Sequence, residues 1–172
     1  MLRELRAVPV ADARAVGVRP HPPIQWEELR RRAADAVVRL AAAGEVDVAP
    51  PGVAGWDEPS DGVLLHADLK GEHVLVDETG SVTGVLDWTD AAIGDPAIDV
   101  AGLAITVGAA AAVRSSAVTG YDAAVHERGV FLARCETLIR LDDRLRGLDD
   151  SPLPLLRRQF ERAWEGAASR PA

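Results

Sequence analysis

Five polar or ionisable side chains fall within the eight residues from His66 to His73 of LLHADLKGEHVLVD: His66, Asp68, Lys70, Glu72 and His73. They interrupt two runs of strand-like apolar residues, and buried strands do not usually tolerate such a block. A further carboxylate, Asp87, ends the next apolar run in GVLDWTD. Carboxylates, imidazoles and an ammonium are the parts from which a general base, metal ligands and a charge clamp are made. The sequence has 18 arginines and a single lysine, and that lysine, Lys70, lies inside the block.

These groups meet only if the chain folds back on itself. Val74–Val76 and Val82–Leu86 read as strands flanking DETGS, a hairpin turn near Asp77–Gly80. Such a hairpin sets residue 74 roughly opposite residue 84. The loop before its first strand and the residues after its second then share one end of the ribbon. Asp68, His73 and Asp87 are expected to converge there, as potential ligands of a divalent metal with one carboxylate left over as base. Base, metal ligands and a cation are what phosphoryl transfer needs: the base orients the acceptor hydroxyl, and the positive charges stabilise the transferring phosphate.

The elements around the ribbon read as helices. Leu2–Val8 suits a short helix, and a second follows with Asp12 as N-cap and Gly17 as stop. RPHPP is an extended link. Gln25–Ala43 carries Leu29, Ala33, Val37 and Leu40 at helical spacing before Gly44. The stretch from Ala49 to Gly62 is a loop, and Val63–Leu65 a third short strand. After Pro96 helices are predicted over Pro96–Val107, Ala109–Tyr121, Ala124–Arg146 and Pro152–Ala167, the third with Val130, Leu132, Leu138, Ile139, Leu141 and Leu145 on its apolar stripe. The 172 residues thus form one domain of α+β class, mostly helical.

The net charge of −8 argues against a nucleic-acid partner. The lone Cys135 allows no internal disulfide and reads as a buried thiol. The start is no secretory signal, and the longest uncharged apolar run, Val100–Val113, is too short to span a bilayer, so a cytoplasmic protein without a membrane partner is expected.

HADLKGEH resembles the catalytic loop H-R-D-L-K-x-x-N of protein kinases, and more closely the H-G-D motif of the aminoglycoside and macrolide phosphotransferases. The similarity to that family runs from His66 to Leu103, through the hairpin, the DW after it and GDPAID at a helix start. The flanks resemble the family only in helical pattern. The resemblance implies Asp68 as catalytic base and Asp87 as a magnesium ligand. His73 would be the second ligand, where asparagine is usual and histidine occurs in macrolide and some aminoglycoside phosphotransferases. Lys70 would lie near the transferred phosphate and touch the nucleotide, ATP or GTP. Asp99 would brace the catalytic loop through its backbone. The implied acceptor is the hydroxyl of a small molecule, an antibiotic or a metabolite. Asp142, Asp143, Asp149 and Asp150 offer themselves to a cationic aminosugar, although solvated helix ends explain them equally well.

The family also has an N-terminal, mostly β lobe with a phosphate-covering loop and a nucleotide-binding lysine. No strand series precedes Val63, so the chain is expected to be the C-terminal lobe of the kinase-like fold, completed by a separate N-lobe polypeptide or by self-association. Two alternatives stand beside the phosphotransferase: a non-catalytic kinase-like lobe acting as a binding module or partner subunit, and a metal-dependent hydrolase using His66, Asp68, His73 and Asp87.

Overall fold

The computed structural model describes residues 2–52, 56 and 62–166. Two short helices, α1 (Leu2–Ala7) and α2 (Val10–Ala15), lead to strand β1 (Arg19–Pro20) and the long helix α3 (Trp26–Ala42). Strand β2 (Val63–Leu65) precedes the catalytic-type loop, which ends in a 3-10 turn at Gly71–His73. The hairpin β3 (Val74–Val76) and β4 (Val82–Val85) follows, then β5 (Ala92–Gly94) and the helices α4 (Ala97–Val107), α5 (Ala109–Ala117), α6 (Ala123–Leu145) and α7 (Leu153–Ala163). The architecture is α+β and mostly helical. No helix among the described residues is long and apolar enough to cross a membrane.

Two small sheets result. One has the order β1-β5-β2, with β1 parallel and β2 antiparallel to β5. Sequence reasoning found neither β1 nor β5. Both are too short for a two-residue periodicity, and β1 contains a proline. His21 extends their pairing by donating its backbone N–H to the Ile93 carbonyl at 2.8 Å. The other sheet is the expected hairpin, shifted by one residue: Val74 faces Val85, and a bulge after Leu75 brings Val76 opposite Val82. The extra residue in the second strand accounts for the shift. Asp77 builds the turn, its Oδ1 accepting the N–H groups of Thr79 and Ser81, both at 2.9 Å.

The helical half packs around α4 and α6. Ala97, Val100, Ala101, Ala104 and Ile105 of α4 are buried. Small residues let the two helices approach closely: a Cβ on Gly129 of α6 would lie 2.5 Å from Val100 Cγ1. The predicted core positions Ala33, Val37 and Leu40 of α3 are buried with Phe131, Cys135, Leu138 and Leu141 of α6, so the single thiol is the buried one expected. Burial pushes its pKa up to about 12.

Several predicted details differ. Asp12 falls in the first turn of α2, which starts after Pro9, and caps nothing. Helix α5 ends at Ala117, short of Tyr121, and Leu145 at the end of the α6 stripe is exposed. The predicted end at Ala167 and most of the loop from Ala49 to Gly62 lie outside the described residues. Asp95 does cap α4, accepting the Ala97 N–H at 2.9 Å, and it also pairs with Arg128 at 2.7 and 3.0 Å. Both side chains are buried, so the pair locks α4 to α6. Removing one member of such a pair strands a charge and costs about 3–5 kcal/mol. Arg128→Met is therefore expected to lower stability to urea by that amount. Combined with Asp95→Ala it should lose less than the two single changes added.

Candidate active site

The catalytic-type loop leaves β2 at a strained position. Ala67 has φ of +64°, a left-handed conformation unusual for a residue with a Cβ. The buried Asp99 of α4 holds it there. One carboxylate oxygen accepts the His66 N–H at 3.0 Å and the other the Ala67 N–H at 2.9 Å. Burial raises the Asp99 pKa, and these two amides oppose that rise. The same helix approaches the loop again three residues on, where a Cβ on Gly102 would sit 2.6 Å from the Leu69 carbonyl oxygen. Only glycine permits that distance.

His66 is wholly buried and spends both ring nitrogens on backbone. Its Nδ1 accepts the Asp68 N–H at 3.3 Å, which leaves the proton on Nε2 to be donated to the Leu86 carbonyl at 2.9 Å. The residue is thus a tie between the loop and the strand end that carries Asp87. With no free nitrogen it is no metal ligand, which removes the hydrolase reading. Trp88 covers it edge-on, ring centroids 4.7 Å apart.

The opposite tautomer is set at His73. Its Nδ1 lies 2.8 Å from the Asp68 carbonyl oxygen, an acceptor only, so Nδ1 carries the proton and Nε2 keeps a free lone pair. That lone pair faces Asp87, whose Oδ2 is 3.9 Å away. Asp87 itself has φ of +57°. Thr89 takes the other oxygen, donating Oγ1–H at 2.7 Å, and holds the carboxyl below its usual pKa. The gap between Nε2 and Oδ2 is too long for a hydrogen bond and within the span of two metal bonds of about 2.0–2.1 Å. A hydrogen-bonded Nδ1 with a bare Nε2 is how ligating histidines are oriented. An imidazole nitrogen and a carboxylate oxygen are donor types that a divalent cation takes.

Asp68, His73 and Asp87 lie close together: Asp68 Oδ1 pairs with Lys70 Nζ at 2.5 Å, and its Oδ2 is 3.5 Å from Nδ1 of His73. No group of three or more histidine, cysteine or carboxylate side chains among the described residues is arranged to hold a metal alone. Glu72 and Asp90 are exposed and stay outside the cluster.

A cavity of about 420 Å³ opens beside the loop. Its lining includes Asp68 and Lys70 of the loop, Ile98 and Ile105 of α4, and Leu132, Glu136 and Ile139 of α6. Sequence reasoning passed over Glu136. The signal was present, since Leu132, Glu136 and Ile139 share one helical face, and a glutamate on an apolar stripe asks for a reason.

The profile of the APH phosphotransferase enzyme family matches residues 1–132. The chain belongs to this family. Viomycin phosphotransferase of Streptomyces vinaceus is 44% identical to it over 48 residues, 26% of this chain and 17% of that one. Among solved structures, macrolide 2'-phosphotransferase type I superposes with a TM-score of 0.51 at 26% identity, over 92% of this chain and 56% of that chain. The GDP complex of wild-type aminoglycoside 2'-phosphotransferase-IIIa does so with 0.55 at 22% identity, over 94% of this chain and 58% of that chain. This APH-family chain thus spans less than three-fifths of the length of each relative.

The hold of Asp99 on the loop has a direct test. Asp99→Asn replaces one acceptor oxygen by an amide that faces an N–H. It is expected to cost about 1–3 kcal/mol. Amide exchange at His66 and Ala67 should accelerate, while α6 core amides keep their protection relative to global unfolding.

Proposed function

We propose that this chain is the C-terminal, acceptor-binding lobe of a phosphotransferase that moves the γ-phosphate of ATP or GTP to a hydroxyl of a small molecule, an antibiotic or a metabolite. The observation that carries the reading is the paired arrangement at the loop: a carboxylate against the chain's only lysine, beside an imidazole whose bare Nε2 faces a second carboxylate. The 2'-phosphotransferases that share this fold, one of them a GDP complex, support the choice of reaction class.

The roles follow from position. Asp68 accepts the proton of the acceptor hydroxyl as it attacks, and the cavity beside it receives the rest of the acceptor. Lys70 stabilises charge on the transferring group from the other side of the same carboxylate. His73 and Asp87 would hold Mg²⁺, which would supply positive charge against the phosphates. His66, Asp99 and Trp88 keep these groups in place and do not react.

The other contacts to the nucleotide would come from a separate N-lobe polypeptide or a second copy of the chain. Leu75, Val76 and Val82 of the hairpin and Leu86 and Trp88 on either side of Asp87 are exposed. Exposed apolar side chains of this kind suit a covering lobe. A non-catalytic lobe serving as partner subunit would expose the same side chains, but it has no use for the His73 tautomer.

Asp68→Asn keeps the shape and removes the base. With nucleotide, Mg²⁺ and an acceptor, phosphate transfer read from radiolabelled nucleotide should fall about 10²- to 10⁴-fold, while Mg²⁺-dependent nucleotide binding persists by calorimetry. Transfer at the wild-type rate in Asp68→Asn would refute the assignment.

A further inference from the structure

A serine or threonine inside a helix usually donates its hydroxyl back to a carbonyl three or four residues earlier. Thr137 of α6 does so to Ala133 at 2.9 Å, and Ser116 of α5 to Val113 at 3.1 Å. Thr106, the penultimate residue of α4, does not. Its Oγ1–H leaves the helix and is donated to the Leu69 carbonyl of the catalytic-type loop at 3.4 Å.

Leu69 stands between Asp68 and Lys70, and its side chain is buried with Leu2 and Leu5 of α1. The peptide that joins it to Lys70 is pinned at both ends. Its carbonyl accepts from Thr106, and its N–H returns to the Asp68 carbonyl at 2.8 Å, closing a three-residue turn around Leu69. Lys70 Nζ then meets Asp68 Oδ1 at 2.5 Å. On the far side of Lys70, the Thr106 Cγ2 methyl lies 3.3 Å from the place a Cβ on Gly71 would take. One side chain thus faces the backbone before Lys70 with its hydroxyl and the backbone after it with its methyl. A lysine stem turns freely, and a partly exposed ion pair alone holds it weakly. The plane from which the stem departs therefore decides where the ammonium rests.

We propose that Thr106 is the positioning residue of Lys70: its hydroxyl fixes the Leu69–Lys70 peptide plane and so keeps the ammonium on Asp68, where a transferring phosphate would meet it. Only that last clause rests on the phosphotransferase reading. The positioning itself is tested without nucleotide or transfer.

Lys70 is the chain's only lysine, so the full chain grown with ¹³C,¹⁵N-labelled lysine gives a single lysine side-chain spectrum. A held ammonium keeps its Hε protons at different shifts, and free rotation merges them. Thr106→Val keeps the branched shape and the methyl and removes the hydroxyl, whereas Thr106→Ser keeps the hydroxyl. Wild type and Thr106→Ser are expected to show resolved Hε signals, and Thr106→Val a merged one. The His66 and Ala67 amide shifts, which report the hold of Asp99, should stay unchanged in Thr106→Val, so that the loss is confined to Lys70. Merged Hε signals in the wild type, resolved signals in Thr106→Val, merged signals in Thr106→Ser, or displaced His66 and Ala67 amides in Thr106→Val would each overturn the proposal. Mg·ATP added to the wild type should then shift the Lys70 signal. No response to Mg·ATP, with the dependence on Thr106 intact, would sustain the positioning role and count instead against the phosphotransfer reading.

Discussion

The structure depends on one buried carboxylate. Asp99, fixed on α4, accepts two consecutive backbone N–H groups and holds Ala67 in a left-handed conformation that its Cβ resists. That conformation turns the chain at the end of β2, so that His66 points inward to the Leu86 carbonyl and Asp68 outward to the cavity. Through Leu86 the constraint reaches Asp87, and through the Asp68 carbonyl it reaches the tautomer of His73. Gly102 lets α4 lie close enough to do this, and the Asp95–Arg128 pair ties the start of the same helix to α6. The helical half thus carries a loop with a strained residue at its start.

The two histidines show how one residue type takes opposite parts. His66 uses both nitrogens on backbone and has none left for chemistry. His73 spends one nitrogen on a carbonyl that can only accept, which leaves the other bare and directed at a carboxylate. Each tautomer follows from which backbone group the ring meets.

Much of this was legible in the sequence. The polar block between two strands marked the loop, the hairpin brought Asp87 back to it, and DPAID marked the start of α4 with Asp95 as its cap. What stayed hidden has physical reasons. Strands β1 and β5 are too short to show a period. The bulge in β4 moved the register by one residue, which no propensity signals. The pairing of Asp142 with Arg39 and of Asp143 with Arg32 depends on contact between α3 and α6, and that of Asp149 with Arg140 on the loop after α6, none of which sequence spacing encodes. Glu136 was visible as a charge on an apolar stripe.

The central claim is that His73 Nε2 and Asp87 hold a divalent cation at the loop carrying Asp68 and Lys70. Paramagnetic Mn²⁺, added in small amounts with nucleoside diphosphate to the ¹⁵N-labelled protein, tests it most directly. The account requires amide broadening centred on His73 and Asp87 and reaching Leu86 and Trp88, lost on Asp87→Ala. Broadening spread over the acidic helix surfaces and absent from His73 and Asp87 would contradict it.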